Sequence, residues 1–135
     1  MLLHQALTND ILELYYEVYN ELGFGFLEKV YQNALFLELQ SRGYKVVAQQ
    51  RCAVYYKKTV VGEFFSDIVV NDVVILELKA VESIHPEHVR QMMNYLRATP
   101  IEVGLLLNFG KEPEFVRKIY FNGQKNLPPQ VRQKG

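Results

Sequence analysis

Asp67, Glu77 and Lys79 are the residues of this 135-residue chain whose types and spacing point to chemistry. They lie in DIVVNDVVILELKA, where two Val- and Ile-rich runs are each interrupted by charge. Glu77 and Lys79 are two apart, so on an extended strand they share one face while Leu76 and Leu78 take the other. Whether Asp67 joins them depends on turn length. A two-residue turn at Asn71-Asp72 pairs Val70 with Val73 and sends Asp67 to the opposite side. A three-residue loop, Asn71-Asp72-Val73, pairs Val70 with Val74 and sets Asp67 across from Glu77. No Asn-Gly or Asp-Gly stands at this turn to favour type I′, so the odd-length loop, or a bulge, is expected. Two carboxylates facing each other across a strand pair stand about 4.5–5.5 Å apart at Cβ and repel. A divalent cation between them reverses that sign, and Mg²⁺ takes one or two carboxylates together with waters and phosphate oxygens. Lys79, on the same face, would orient or deprotonate an attacking water, or offset charge on a scissile phosphate. The competing reading is a solvated strand face with alternating charges.

Three further features bear on that choice. Glu28 sits in the first turn of a helix, with Tyr31 one turn on at i+3. An acid there is favoured by the helix dipole, or it is a third carboxylate brought to the metal edge. Gln91 and Tyr95 are i, i+4 on a later helix, beside its apolar stripe, and serve either as boundary residues or as contacts to phosphate or base. His85 and His88 form an H-x-x-H pair, but Cys52 and His4 are not spaced to complete a four-ligand zinc site. They read as polar residues of a helix N-terminus, and Cys52 as packing. P-loop, nucleophile-elbow and dinucleotide-binding signatures are absent.

The elements that must position these residues follow from hydrophobic periodicity. A first helix runs from Thr8, as N-cap, through Ile11, Leu14, Tyr15, Val18, Tyr19 and Leu22 to Gly23. A second carries Leu27, Val30, Tyr31, Ala34, Leu35, Leu37 and Leu39 and closes at Gly43. Phe24 and Phe26 flank Gly25 between them, so this corner is expected to pack on something. Strands follow at Tyr44–Lys57, with a bend at Gln49-Gln50-Arg51, at Val60–Val70 and at Val73–Ala80. Pro86 opens a third helix, striped by Val89, Met92, Met93 and Leu96 and ending before Thr99-Pro100. Ile101–Phe109 reads as a strand covered on both faces, and Phe115–Phe121 as an edge strand. The order α-α-β-β-β-α-β-β makes an α/β (α+β) fold: a central mixed sheet flanked by helices. Residues 1–123 form one domain, and 124–135, with Pro128-Pro129 and uncompensated Lys125, Arg132 and Lys134, a flexible tail.

Composition narrows the partners. With 49% hydrophobic and 22% charged residues the chain is too apolar for disorder, and its apolar runs fall far short of a membrane span. Lys+Arg and Asp+Glu each total 15, so any hold on nucleic acid is local, not a matter of bulk charge. MLLHQALTND shows no signal-peptide pattern, and the expected location is the cytoplasm.

Taken together, Gly25-x-x-Glu28-x-x-Tyr31, Asp67, Glu77-Leu78-Lys79, Gln91-x-x-x-Tyr95-Leu96 and Gly104-Leu-Leu-Leu-Asn108-Phe109-Gly110 resemble the GxxExxY protein family. That family is placed in the PD-(D/E)XK nuclease superfamily, and the likeness spans roughly Thr8 to Phe121. The resemblance implies a restriction-endonuclease-like core and a metal-dependent phosphodiesterase acting on nucleic acid, DNA ahead of RNA. Asp67 and Glu77 would be metal ligands with the Leu78 main-chain carbonyl, for Mg²⁺ or Mn²⁺. Glu28 would be an acidic helical residue of the site, a further ligand or catalytic group, and Lys79 the catalytic lysine. Gln91, Tyr95 and Tyr31 would contact substrate. Ser66 stands where the superfamily signature has Pro, and Phe24 replaces a smaller residue before Gly25. The rival reading is a non-catalytic nucleic-acid- or protein-binding module that keeps the fold; a third is a homodimer through the apolar first helix.

Overall fold

The computed structural model describes residues 2–131. Helices α1 (Gln5–Leu22) and α2 (Glu28–Ser41) precede strands β1 (Val46–Tyr56), β2 (Thr59–Val70) and β3 (Val74–Lys79). Helix α3 (Pro86–Ala98) then leads to β4 (Val103–Phe109) and β5 (Pro113–Ile119). The five strands lie in sequence order in one sheet. All neighbours are antiparallel except β3 and β4, which run parallel around the α3 crossover. The α-α-β-β-β-α-β-β order and the mixed sheet expected from periodicity are both present.

Hydrophobic alternation sorts the sheet into two layers. Ile68, Val70, Val74, Leu76, Leu78, Val103, Leu105, Leu107 and Phe109 pack under Ile11, Leu14, Tyr15 and Val18 of α1 and Tyr31, Leu35 and Leu39 of α2. Each such fully buried aliphatic side chain contributes about 1.5–3 kcal/mol, so this larger core fixes the register of the central strands. On the reverse face Val69, Ile75 and Ile101 pack on Leu96 of α3. The helix sits close there: a Cβ on Gly104 would stand 2.9 Å from Met92 Sδ. β4 is buried along its whole length, as its unbroken apolar run implies.

Local details differ from expectation where side chains found other partners. α1 starts four residues early, with His4 as its N-cap in a left-handed conformation, and the Thr8 hydroxyl donates to Gln5 O inside the helix instead of capping it. The last strand spans Pro113–Ile119, displaced toward the N-terminus, because it pairs with all of β4 from Val103 to Phe109. At the α1–α2 corner Phe24 and Phe26 stay exposed. The packing residue is Tyr31, whose hydroxyl donates to Gly23 O (2.7 Å) and accepts from Phe26 N (3.2 Å).

Beyond β5, single 3₁₀ turns at Asn122–Gln124 and Pro129–Val131 return across the α3 side of the domain. Lys125 Nζ donates to Thr99 O (2.9 Å) and Ile101 O (2.7 Å), and Leu127 is buried. The segment read as a tail therefore lies against the domain through residue 131, while Arg132 and Lys134 lie outside the described residues. No helix among the described residues is long and apolar enough to cross a membrane.

Candidate active site

The β2–β3 loop decides where Asp67 points. Val70 pairs with Val74, Val69 with Ile75 and Ile68 with Leu76, so the loop is Asn71-Asp72-Val73. Both Asn71 and Asp72 have positive φ, 52° and 59°, a conformation that Asn and Asp tolerate. Val73 N closes the turn on Val70 O at 3.0 Å. The tight turn is thus made without glycine, and Val73 is the added residue that keeps the loop odd. Extending the register one place sets Asp67 across from Glu77.

At that point the two strands stop pairing through their backbones. Asp67 Oδ2 accepts the Leu78 N–H at 2.8 Å, so the side chain takes the place of a ladder bond and is fixed against β3. β2 also turns sharply here. Ile68 and Val70 pack under α1 and α2, yet Phe64, of the same alternation, stacks on Tyr95 of α3 with ring centroids 3.8 Å apart. Opposite Asp67 in β1, Gln49 has φ 54°, which supplies the bend expected near Gln49-Gln50-Arg51.

Glu77 is 8% exposed, and its Oε1 is buried without a hydrogen-bond partner. Burial pushes its carboxyl up to about 9, with the nearby charge of Asp67 acting the same way and Lys79 opposing. An orphaned buried carboxylate oxygen beside a second carboxylate is costly to a protein by itself. The donor set suits a hard divalent cation, which binds carboxylate oxygens and offsets the repulsion. Among the described residues no group of three or more His, Cys, Asp or Glu converges, so the acids gathered here are two.

Lys79 ends β3, half-buried and opposite Asn108 in the parallel register. Its strand end is clamped. The Asn108 carboxamide accepts from Val81 N (3.0 Å) and donates to Val81 O (2.9 Å), while Tyr15 Oη donates to Asn108 O and Tyr19 Oη to Gly110 O (2.7 Å). A Cβ on Gly110 would lie 2.3 Å from Val81 O. The Asn108-Phe109-Gly110 segment, read in the sequence only as part of a resemblance, therefore holds the chain that leaves Lys79.

Gln91 Nε2 donates to Tyr95 Oη at 2.7 Å, joining the i, i+4 pair on α3. The Tyr95 hydroxyl is raised above its ordinary range by burial first and then by Glu77, with a smaller push from Asp67, and the residue packs on the Val69–Ile75 layer, the sheet face that by alternation also carries Asp67 and Glu77. Two expected site residues are placed differently. Glu28 is exposed in the first turn of α2 and forms no three-acid cluster with Asp67 and Glu77. Tyr31 is fully buried, stacked on Phe109 at 4.2 Å, with its hydroxyl engaged by the corner backbone. Its ring closes the core and presents nothing to a substrate.

The sequence reading missed Gln32 and Gln49. Gln49 Nε2 donates to Gln32 Oε1 (2.8 Å) and reaches Asp67 Oδ1 at 3.4 Å, tying α2 to the site. Gln32 follows Glu28 by four residues, one helical turn along the same face, and that spacing was the available signal. His85 N donates to His88 Nδ1 at 3.1 Å, so the H-x-x-H pair is spent on opening α3.

No curated protein and no solved structure matches the chain significantly. The family model of the PD-(D/E)XK nuclease superfamily matches residues 5–119, a span that contains every element from α1 to β5 and both strands that carry Asp67, Glu77 and Lys79. The chain is a member of the PD-(D/E)XK nuclease superfamily.

Proposed function

We propose that this chain is a Mg²⁺-dependent nuclease of GxxExxY type that hydrolyses phosphodiester bonds in DNA or RNA. The observation that carries the reading is the Asp67–Glu77 pair beside Lys79, with a buried Glu77 oxygen that lacks any protein partner. Asp67 and Glu77 would hold the ion, with the Leu78 carbonyl alongside. When bound, such an ion supplies Lewis acidity toward a phosphate oxygen and lowers the pKa of a water. The residues do the rest. The Asp67–Leu78 hydrogen bond keeps one carboxylate aimed, and the Asn108 clamp fixes the strand end from which Lys79 projects. The Lys79 ammonium orients the attacking water and offsets the charge that builds on the phosphate. Gln91 and Tyr95 border the same face and contact the substrate backbone or a base.

Purified full-length chain is expected to cleave nucleic acid with Mg²⁺ or Mn²⁺, and Asp67→Ala and Lys79→Ala to abolish cleavage. Absence of cleavage on single-stranded, double-stranded and branched substrates with both ions overturns the reading. Titration calorimetry separates it from a fold-retaining binding module. A nuclease binds a divalent ion and loses it in Glu77→Ala; a module that only binds nucleic acid or protein shows no such ion.

A further inference from the structure

A cleft of about 550 Å³ opens between α3, the outer half of the β1–β2 hairpin and the segment after β5. Its volume falls in the roughly 300–1,000 Å³ range of small-molecule sites. Phe64 and Tyr95, stacked nearly parallel at 6°, form one wall, and Tyr120 lines another. The Arg97 guanidinium stands 5.7 Å from the centre of the Tyr120 ring. Among the described residues no acid lines the cleft, which in a chain of zero net charge leaves a surface suited to an anionic chain. Asn94, Gln124 and Asn126 are exposed at its border, and a carboxamide both donates and accepts, as the edges of nucleobases do. Tyr95 belongs to this wall and also packs on the Val69–Ile75 layer, the sheet face that by alternation carries Asp67 and Glu77, so the cleft and the acid pair open on one side of the sheet.

Aromatic faces bind a base only after it has left the helical stack; a duplex offers a protein its edges and its backbone. We propose that the cleft receives an unstacked nucleobase next to the phosphate held at Asp67 and Glu77, which makes the substrate a single-stranded nucleic acid. This rests on the nuclease reading of the acid pair. The base stacks on Tyr120 and the outer face of the Phe64–Tyr95 pair, whose inner faces are spent on each other, and is read by the carboxamides, and Arg97 meets the backbone at the rim. The fastening of Lys125 to Thr99 O and Ile101 O holds the far wall in place.

The test is fluorescence anisotropy of the full-length protein in EDTA, where no hydrolysis occurs. The probes are a labelled DNA strand, the RNA strand of the same mixed sequence and the matching DNA duplex. Tyr120→Ala and Asn94→Ala are each expected to weaken single-strand binding by about tenfold and to leave duplex binding unchanged. Asn94 is exposed, so its variant keeps the test valid should Tyr120→Ala fail to fold. Equal binding by wild type and both variants, or equal affinity for strand and duplex, overturns the proposal. The two readings fail separately. Cleavage by wild type that both variants retain in full sinks the cleft and leaves the nuclease. Weakened strand binding in the variants of a protein that cleaves nothing sinks hydrolysis and leaves the cleft. The tighter of the two strands names the sugar.

Discussion

The α1–α2 corner and the divergent end of β2 and β3 each bury a polar side chain inside a motif visible in the sequence, and they handle it in opposite ways. Tyr31 spends its hydroxyl on Gly23 O and Phe26 N and stacks its ring on Phe109. Glu77 leaves Oε1 without any protein partner, beside a second acid. A buried polar group that the fold satisfies is architecture. One left unsatisfied next to a second acid is a cost that the protein meets by holding a proton or by binding a cation. Asn108 belongs with Tyr31: both of its amide atoms are spent on Val81.

Glu77→Gln is expected to have the largest effect of the variants that probe this contrast. Divalent binding measured by calorimetry should be lost, since the variant keeps the shape of the site and removes its charge. It also carries a pH signature. With the folded carboxyl pushed up to about 9 from an ordinary 4.5, the metal-free protein holds its full stability from this group below about pH 4.5. It loses that stability as pH rises toward 9, where the folded state must ionise Glu77 at a cost the unfolded chain does not meet. Melting temperatures recorded in EDTA should therefore decline across that window in wild type relative to Glu77→Gln. Parallel curves would show that the carboxylate is not the strained group.

Gly110→Ala should come next, as a loss of stability. Its Cβ meets Val81 O, and relieving such a contact costs about 1–3 kcal/mol, read as a lower midpoint in urea. Because the displaced chain is the one that leaves Lys79, cleavage should fall as well. Tyr31→Phe removes one hydroxyl from a satisfied pair of contacts and should cost about 1 kcal/mol while leaving divalent affinity unchanged. A change in affinity would mean that the corner belongs to the site and that Tyr31 is more than architecture. Glu28→Gln should do least: stability within about 0.5 kcal/mol of wild type. A loss of divalent affinity of about tenfold or more would place Glu28 at the ion after all.

Much of this was legible in the chain. Periodicity alone yielded the order of helices and strands, because each element buries one face and the spacing of Ile11, Leu14, Tyr15 and Val18, or of Val103, Leu105, Leu107 and Phe109, states which face that is. The missing Asn-Gly pointed to the odd loop that faces Asp67 with Glu77, although Asn71 and Asp72 adopt positive φ without glycine. The parts that were not legible are those set by contacts distant in sequence. Thr8 is an ordinary capping residue by type, yet the helix begins earlier.

Sequence by itself determined the strands, their alternation and which charges interrupt them, since these follow from local geometry with a period of two or 3.6 residues. Only the tertiary structure decided the fate of each polar atom. Tyr31 and Glu28 share a helix turn, yet one is sealed by Phe109 and the other is open to solvent, because burial is set by what packs across from a residue. Gln49 stands at the bend its neighbours announce, but that it reaches Gln32 and Asp67 is set by a helix and a strand distant in the chain. The cleft beside Tyr95 exists because a hairpin, a helix and a chain end meet there from three separate stretches of sequence.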